Sequence, residues 1–234
     1  MAKAAKKQAP DSEKIVLAID IGGSHVKILT SAGGDERRAD SGPGLTPQQM
    51  IAAVQTLANG LPYDVVSIGY PGPVHHNRPL ADPANLGKGW VGFDFATQFG
   101  KPVKLVNDAL MQAVGSYEGG RMLFLGFGTG LGAAMVLDNV AQPMELAHLP
   151  YRKGSSFEDY VGERGLEKRG KKKWRKHVFD VVERLRAALQ PDYVVIGGGN
   201  VDKLDELPAG CRRGDNTRAF DGGFRLWRDK SLIV

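Results

Sequence analysis

AIDIGGSHVK, residues 18–27, carries an apolar run into an aspartate, then turns through two glycines and a serine into a second apolar run. Glycine adopts φ > 0 at little cost, so Gly22-Gly23 reads as a hairpin turn joining KIVLAIDIGG to SHVKILTSAGG. A turn alone accounts neither for Asp20 inside the apolar run nor for the small hydroxyl of Ser24. A phosphate-facing loop accounts for both, with bare N–H groups approaching an anion and a carboxylate nearby for a metal. On this stretch alone both readings stay open.

Outward from it, the chain alternates strands and helices. TPQQMIAAVQTLANG predicts a helix capped by Thr46, with Met50, Ile51, Val54 and Leu57 on one face. YDVVSIGYPGPV predicts a buried strand, and HHNRPLADPANLGKGWVGFD a long loop of the kind that carries function. KPVKLVND predicts a strand passing straight into the helix DALMQAVGSYEGG. RMLFLGFGTGLGAAMVLDN reads as a second hairpin, around GTG. The segment from Pro143 to Gly170 has no clear period. KKWRKHVFDVVERLRAALQ then gives the clearest amphipathic helix, with Trp174, Val178, Val181, Val182, Leu185 and Leu189 on one stripe. PDYVVIGGGNV is strand then glycine loop, and FDGGFRLWRD a short closing helix. The order predicts an α/β protein with a basic, disordered tail over 1–13, an N-terminal lobe over 14–108 and a C-terminal lobe over 109–234. No sequence repeat is visible.

Composition narrows the function classes. The 234 residues suffice for a sizeable core, and no apolar run approaches the ~20 residues of a membrane span. The N-terminus lacks a signal-peptide core, and the single cysteine, Cys211, excludes internal disulfides and multi-cysteine metal sites. A cytoplasmic location is expected. A net charge of +5 suits an anionic ligand without naming one. The densest basic stretch, LEKRGKKKWRK at 166–176, opposes the dipole at a helix start and reads either as a solvated face or as a track for a polyanion. No RNA-binding, helix-turn-helix or zinc-finger pattern accompanies it, so neither nucleic acid nor membrane is expected as a partner.

The informative pattern is where strands end. Those ending at Asp20, Gly69, Asn107 and Ile196 each run into a Gly or Asx loop, and open α/β sheets bind ligands beyond their carboxyl ends. Asn107-Asp108 reads as a helix cap or as an amide that orients a hydroxyl beside a carboxylate that takes its proton. GFGTGLG at 126–132 offers Thr129 and several N–H groups to phosphate, or is a tight hairpin; Gly197–Gly199 packs against a flat ring or ends a strand. Glu145 and His148, three apart, would share a helix face and hydrogen-bond vicinal hydroxyls. They are too few for zinc.

In order, DIGGSHVK, GYPGPV, PANLGKGW, VNDA, GFGTGLG, ELAH and VIGGG resemble the ROK group of sugar kinases over roughly residues 15–200, and within it the polyphosphate glucokinases. The resemblance implies a two-lobed actin/hexokinase-like (RNase H-like) fold with the active site in the cleft. It implies Asp108 as the base that takes the proton of a sugar 6-hydroxyl, with Asn85, Asn107, Glu145 and His148 on the sugar. Asp20, Gly22, Gly23, Ser24 and Lys27 would form the first phosphate loop, and Gly128, Thr129 and Gly130 the second. Gly197, Gly198 and Gly199 match the segment near adenosine in ATP-using members. Mg²⁺ would bridge donor oxygens with Asp20 nearby. The expected activity is phosphorylation of glucose from polyphosphate, ATP or both, and the resemblance also allows a homodimer. Alternatives are a kinase of another hexose or polyol and a non-catalytic sugar-binding relative. ELAH departs from the family at Ala147, where glycine is usual; NLGKGW departs in wording. Glu158 is the nearest counterpart of a further family glutamate.

Overall fold

The computed structural model describes residues 13–234, so the expected tail lies outside the described residues except for Glu13. β1 (Val16–Ile21), β2 (His25–Thr30) and β3 (Arg37–Asp40) form an antiparallel meander. α1 (Pro47–Leu57) returns the chain to β4 (Val65–Tyr70), parallel to β1. The expected cap is in place: the Gln49 N–H donates to the Thr46 hydroxyl at 3.3 Å, and the Thr46 N–H donates back to the Gln49 side chain at 2.9 Å. A small hairpin of β5 (Val74–His75) and β6 (Arg78–Pro79), a loop and the short α2 (Phe95–Phe99) precede β7 (Val103–Asn107), parallel to β4. α3 (Asp108–Ser116) follows without a gap.

The second sheet repeats this order. β8 (Arg121–Phe127), β9 (Leu131–Leu137) and β10 (Val140–Pro143) form a meander; α4 (Glu158–Val161), α5 (Glu163–Arg169) and α6 (Lys171–Leu189) cover it. β11 (Tyr193–Gly197) lies parallel to β8, β12 (Cys211–Arg213) parallel to β11, and α7 (Arg218–Arg228) closes the chain. The strand orders are β3-β2-β1-β4-β7 and β10-β9-β8-β11-β12, one topology used twice. The strands not foreseen, β3, β10, β12 and the two-residue β5 and β6, are edge or very short strands with mostly exposed residues, so they carry no apolar pattern to read.

The two final helices are exchanged between the lobes. α3 follows the first sheet but packs on β8 and β9 of the second, whereas α7 follows the second and packs on β1 and β4. They cross backbone to backbone: a Cβ on Gly115 would overlap the Arg218 carbonyl oxygen, and one on Gly222 the Met111 carbonyl oxygen. Ser67, fully buried in β4, anchors α7 by donating to the Gly223 carbonyl at 2.6 Å and accepting from the Trp227 indole at 3.0 Å. Three apolar clusters result, one on the outer face of each sheet and a third beneath α3 and α7. Strand β8 is buried on both faces, with Leu123 and Leu125 in one cluster and Met122 and Phe124 in another.

Candidate active site

The carboxyl ends of β1, β4 and β7 stand side by side, with Asp20 opposite Gly69 and Tyr70 opposite Asn107. Gly69 lets α3 press close: a Cβ there would lie 3.5 Å from the Asp108 Cα and 2.6 Å from the Met111 Cε. That approach sets Asp108 one strand away from Asp20. Burial drives the Asp108 carboxyl up to about 7, and the fields of Asp20 and Glu145 push the same way. Asp20 rises to about 6, again by burial, against the pull of Lys27 directly across the β1–β2 ladder. Both carboxyls are partly accessible.

Asn107 caps α3, accepting from the Leu110 N–H at 3.1 Å and donating to the Gly72 carbonyl at 3.2 Å. The cap reading therefore holds for Asn107, whose amide is engaged by backbone in this structure. Asp108 is the first residue of the helix; its Oδ1 accepts from the Ala109 N–H at 2.8 Å.

The first glycine loop turns tightly, with the Gly22 N–H donating to the His25 carbonyl at 2.9 Å. Asn85 lies against it, since a Cβ on Gly23 would stand 2.6 Å from Asn85 Nδ2. The Asn85 loop is rigidly built. Asp82 accepts from the Gly89 and Trp90 N–H groups at 3.1 and 2.9 Å, and the buried Trp90 ring packs on Tyr70 and donates to the Gly87 carbonyl. Lys27 sits 4.0 Å from Glu36, and Ser24 is exposed.

From the other lobe come the second and third glycine loops. Gly126 pairs with both Gly132 and Gly197. A Cβ on Gly132 would meet Ala109 at 2.9 Å, so this glycine admits the start of α3. Gly198 has φ +86° and lies against the Phe127 backbone, a position closed to other residues on both counts. Asn200, 2 % exposed, ties the two loops together by donating to the Gly128 carbonyl at 3.2 Å and to Glu163 at 3.1 Å, while Lys203 donates to its Oδ1 at 2.6 Å. The Glu163 N–H donates to the carbonyls of Gly128 and Thr129. Glu158 lies against Gly130 and accepts from the Leu131 N–H at 3.3 Å. Sequence reasoning missed Asn200 and Glu163; the polar residue directly after GGG was the available signal for the first.

Glu145 and His148 flank a 3-10 turn, Leu146–His148, instead of an α-helix. Three residues per turn align positions i and i+3, so the expected shared face survives the change of helix type. Their side chains are 60 % and 74 % exposed and 3.8 Å apart, open to a polyol, and the field of Glu145 reaches Asp108. Part of the basic run serves the fold: Arg169 stacks on Tyr160 and bonds the Asp159 carbonyl, and Arg175 bonds Asp205 and the Lys203 carbonyl. Lys172, Lys173 and Lys176 are exposed.

Among the described residues no cluster of three or more His, Cys, Asp or Glu side chains could hold a metal. A magnesium ion needs less than that where donor phosphates and waters complete its shell, and Asp20, a carboxyl destabilised by burial at the mouth of a glycine loop, suits that partial role.

No protein-family model matches the chain. The polyphosphate glucokinase of Mycobacterium tuberculosis is 28 % identical over 210 residues, 80 % of this chain and 78 % of that protein. Among solved structures, the inorganic polyphosphate/ATP-glucomannokinase of Arthrobacter sp. strain KM superposes with a TM-score of 0.80 at 22 % identity, over 93 % of this chain and 99 % of that one. The ROK family glucokinase of Streptomyces griseus, solved with glucose and AMPPNP, gives 0.70 at 18 % identity over 92 % and 99 %. By sequence this chain is similar to the polyphosphate glucokinases, and its fold is that of the ROK sugar kinases, a two-lobed, hexokinase-like α/β architecture.

Proposed function

We propose that the chain is a sugar phosphotransferase that moves a phosphoryl group from polyphosphate, ATP or both to the 6-hydroxyl of glucose. The observation that carries this reading is Asp108: a carboxyl raised to about 7 by burial and by Asp20 and Glu145, at the start of α3, where Gly69 of the first sheet and Gly132 of the second both lie against that helix. A base poised near neutral pH is what deprotonation of an alcohol in the transition state needs. In the step, the sugar oxygen bonds to phosphorus as the bond to the donor's bridging oxygen breaks. Asp108 takes the hydroxyl proton, and the leaving phosphate carries off the electron pair.

Glu145, His148 and Asn85 orient the sugar hydroxyls; Asn107 acts beside them, mainly by fixing the start of α3. Asp20, Gly22, Gly23, Ser24 and Lys27 hold one side of the donor, and Gly128, Thr129 and Gly130 hold the other. Gly197, Gly198 and Gly199 flank the far end of the donor. Asp20 would help hold a Mg²⁺ ion, which would supply charge neutralisation to the transferring phosphate.

A coupled assay for glucose 6-phosphate, with Mg²⁺ and either ATP or long-chain polyphosphate, tests the reading and chooses the donor. Absence of turnover with both donors across glucose, mannose and other polyols would refute it. A second reading, phosphorylation of another hexose, is favoured by Ala147, whose buried methyl group sits in the turn between Glu145 and His148. Faster turnover of mannose than of glucose in the same assay would select it.

A further inference from the structure

A cavity of about 460 Å³ opens at the opposite end of α3 from Asp108, where that helix, the edge strand β12 and α7 meet. Nine residues of helix place it about 12 Å along α3 from the carboxylate, outside the cleft. Five arginines and three carboxylates line it, an excess of two positive charges. Three of those arginines hold the fold. Arg225 donates to the Val114 and Tyr117 carbonyls at the end of α3, Arg213 to those of Val201 and Leu204, and Arg228 bonds Glu13 and Ser31.

The other two, Arg212 and Arg218, do not brace backbone. Each is about half-exposed with one carboxylate partner, Glu118 and Asp221 respectively, and Arg212 also lies on the Tyr193 ring. Exposed pairs of this kind contribute between nothing and about 1 kcal/mol. A phosphate, which accepts two N–H bonds from each guanidinium fork and carries more charge than a carboxylate, competes well with them. Arg218 also begins α7, whose N-terminus has no side-chain cap on its first turn, and that favours an anion here.

We propose that this cavity is a second anion site that takes a small phosphate-bearing molecule, a phosphate ester or a short polyphosphate, held by Arg212 and Arg218. The site does not depend on the chemistry assigned to the cleft. Its occupant touches both helices that join the lobes, including the one that carries Asp108.

Isothermal titration of the full chain with tripolyphosphate, and separately with glucose 6-phosphate, tests this without turnover. The unaltered chain is compared with R212Q/R218Q and with the cleft variant K27Q/T129V. At least one ligand is expected to show a binding event that R212Q/R218Q weakens tenfold or more and K27Q/T129V leaves intact; which ligand responds separates the two sources. Should circular dichroism show the double variant misfolded, R218Q alone must weaken the event at least threefold. Absence of binding, or binding sensitive only to the cleft variant, overturns the proposal. Glucose phosphorylation is read independently, so a failure of the cleft reading leaves this result standing.

Discussion

Replacing Asp108 by asparagine should stabilise the protein while abolishing its activity. Raising a carboxyl from 3.8 to about 7 disfavours the folded state at neutral pH by about 4 kcal/mol at most. Partial access to the cleft and the shared field with Asp20 reduce the gain from a neutral side chain to about 2 kcal/mol. For a chain of this size that is a rise in Tm of about 4–8 °C. Asparagine keeps an oxygen for the Ala109 N–H, so the cap geometry is not lost. The sign follows from the raised folded-state pKa: the protonated carboxyl is tolerated below about 4, and the penalty grows as pH rises to about 7 and is constant above it. The advantage of Asp108→Asn should therefore be full at pH 8 and fall to roughly a third at pH 5. Thermal unfolding of both proteins at the two pH values, beside the coupled assay, measures all of this. Turnover should drop by about a thousandfold or more. A variant no more stable than the parent at pH 8, or equally advantaged at both pH values, would refute the burial argument.

The pH–rate profile should report the same group: kcat/KM falls about tenfold per pH unit below about 7 and levels off above it, whereas a flat profile from pH 5 to 8 would exclude Asp108 as the free enzyme's base. Asn200→Ala removes the tie between the second and third glycine loops, and a buried donor pair of this kind is worth about 1–3 kcal/mol; KM for the phosphate donor should rise about tenfold with glucose affinity, followed by intrinsic fluorescence, unchanged. Neutralising the exposed Lys172, Lys173 and Lys176 together with glutamine should raise KM for long-chain polyphosphate at low salt and leave the ATP reaction as it was; equal effects on both donors would return these lysines to a solvated face.

How much of this was legible in the sequence depends on what each residue answers to. Strands buried on both faces and the amphipathic α6 announce themselves through apolar patterning, so β1, β4, β8, β11 and α6 fall where the sequence places them. The strand-end loops were legible because glycine and Asx at the end of an apolar run have few other uses. What could not be read were residues whose role is a contact across long sequence separation. Asn200 matters because it meets Gly128 and Glu163, and Ser67 because it meets Gly223 and Trp227. Nothing local to either residue marks that partner. The double role of Asn107 was likewise posed by the sequence, and only the Leu110 and Gly72 bonds show the amide engaged in capping.

The duplicated topology was hidden for a related reason. Equivalent ladder positions in the two sheets do different work. In the first, Asp20 faces Lys27 across the hairpin; in the second, the corresponding pair is Gly126 and Gly132. Charge is retained at the mouth of the first glycine loop. Bulk is removed where Ala109, at the start of α3, must settle onto β9. The exchange of α3 and α7 goes with that difference, because α3, which bears Asp108 at its tip, lies chiefly on the second sheet. A symmetric pair of loops would leave either the first loop without a carboxylate or the second too crowded for α3. The loss of sequence symmetry is thus what allows one doubled fold to present the Asp108 carboxyl beyond one lobe's strand end while seating its helix chiefly on the other lobe.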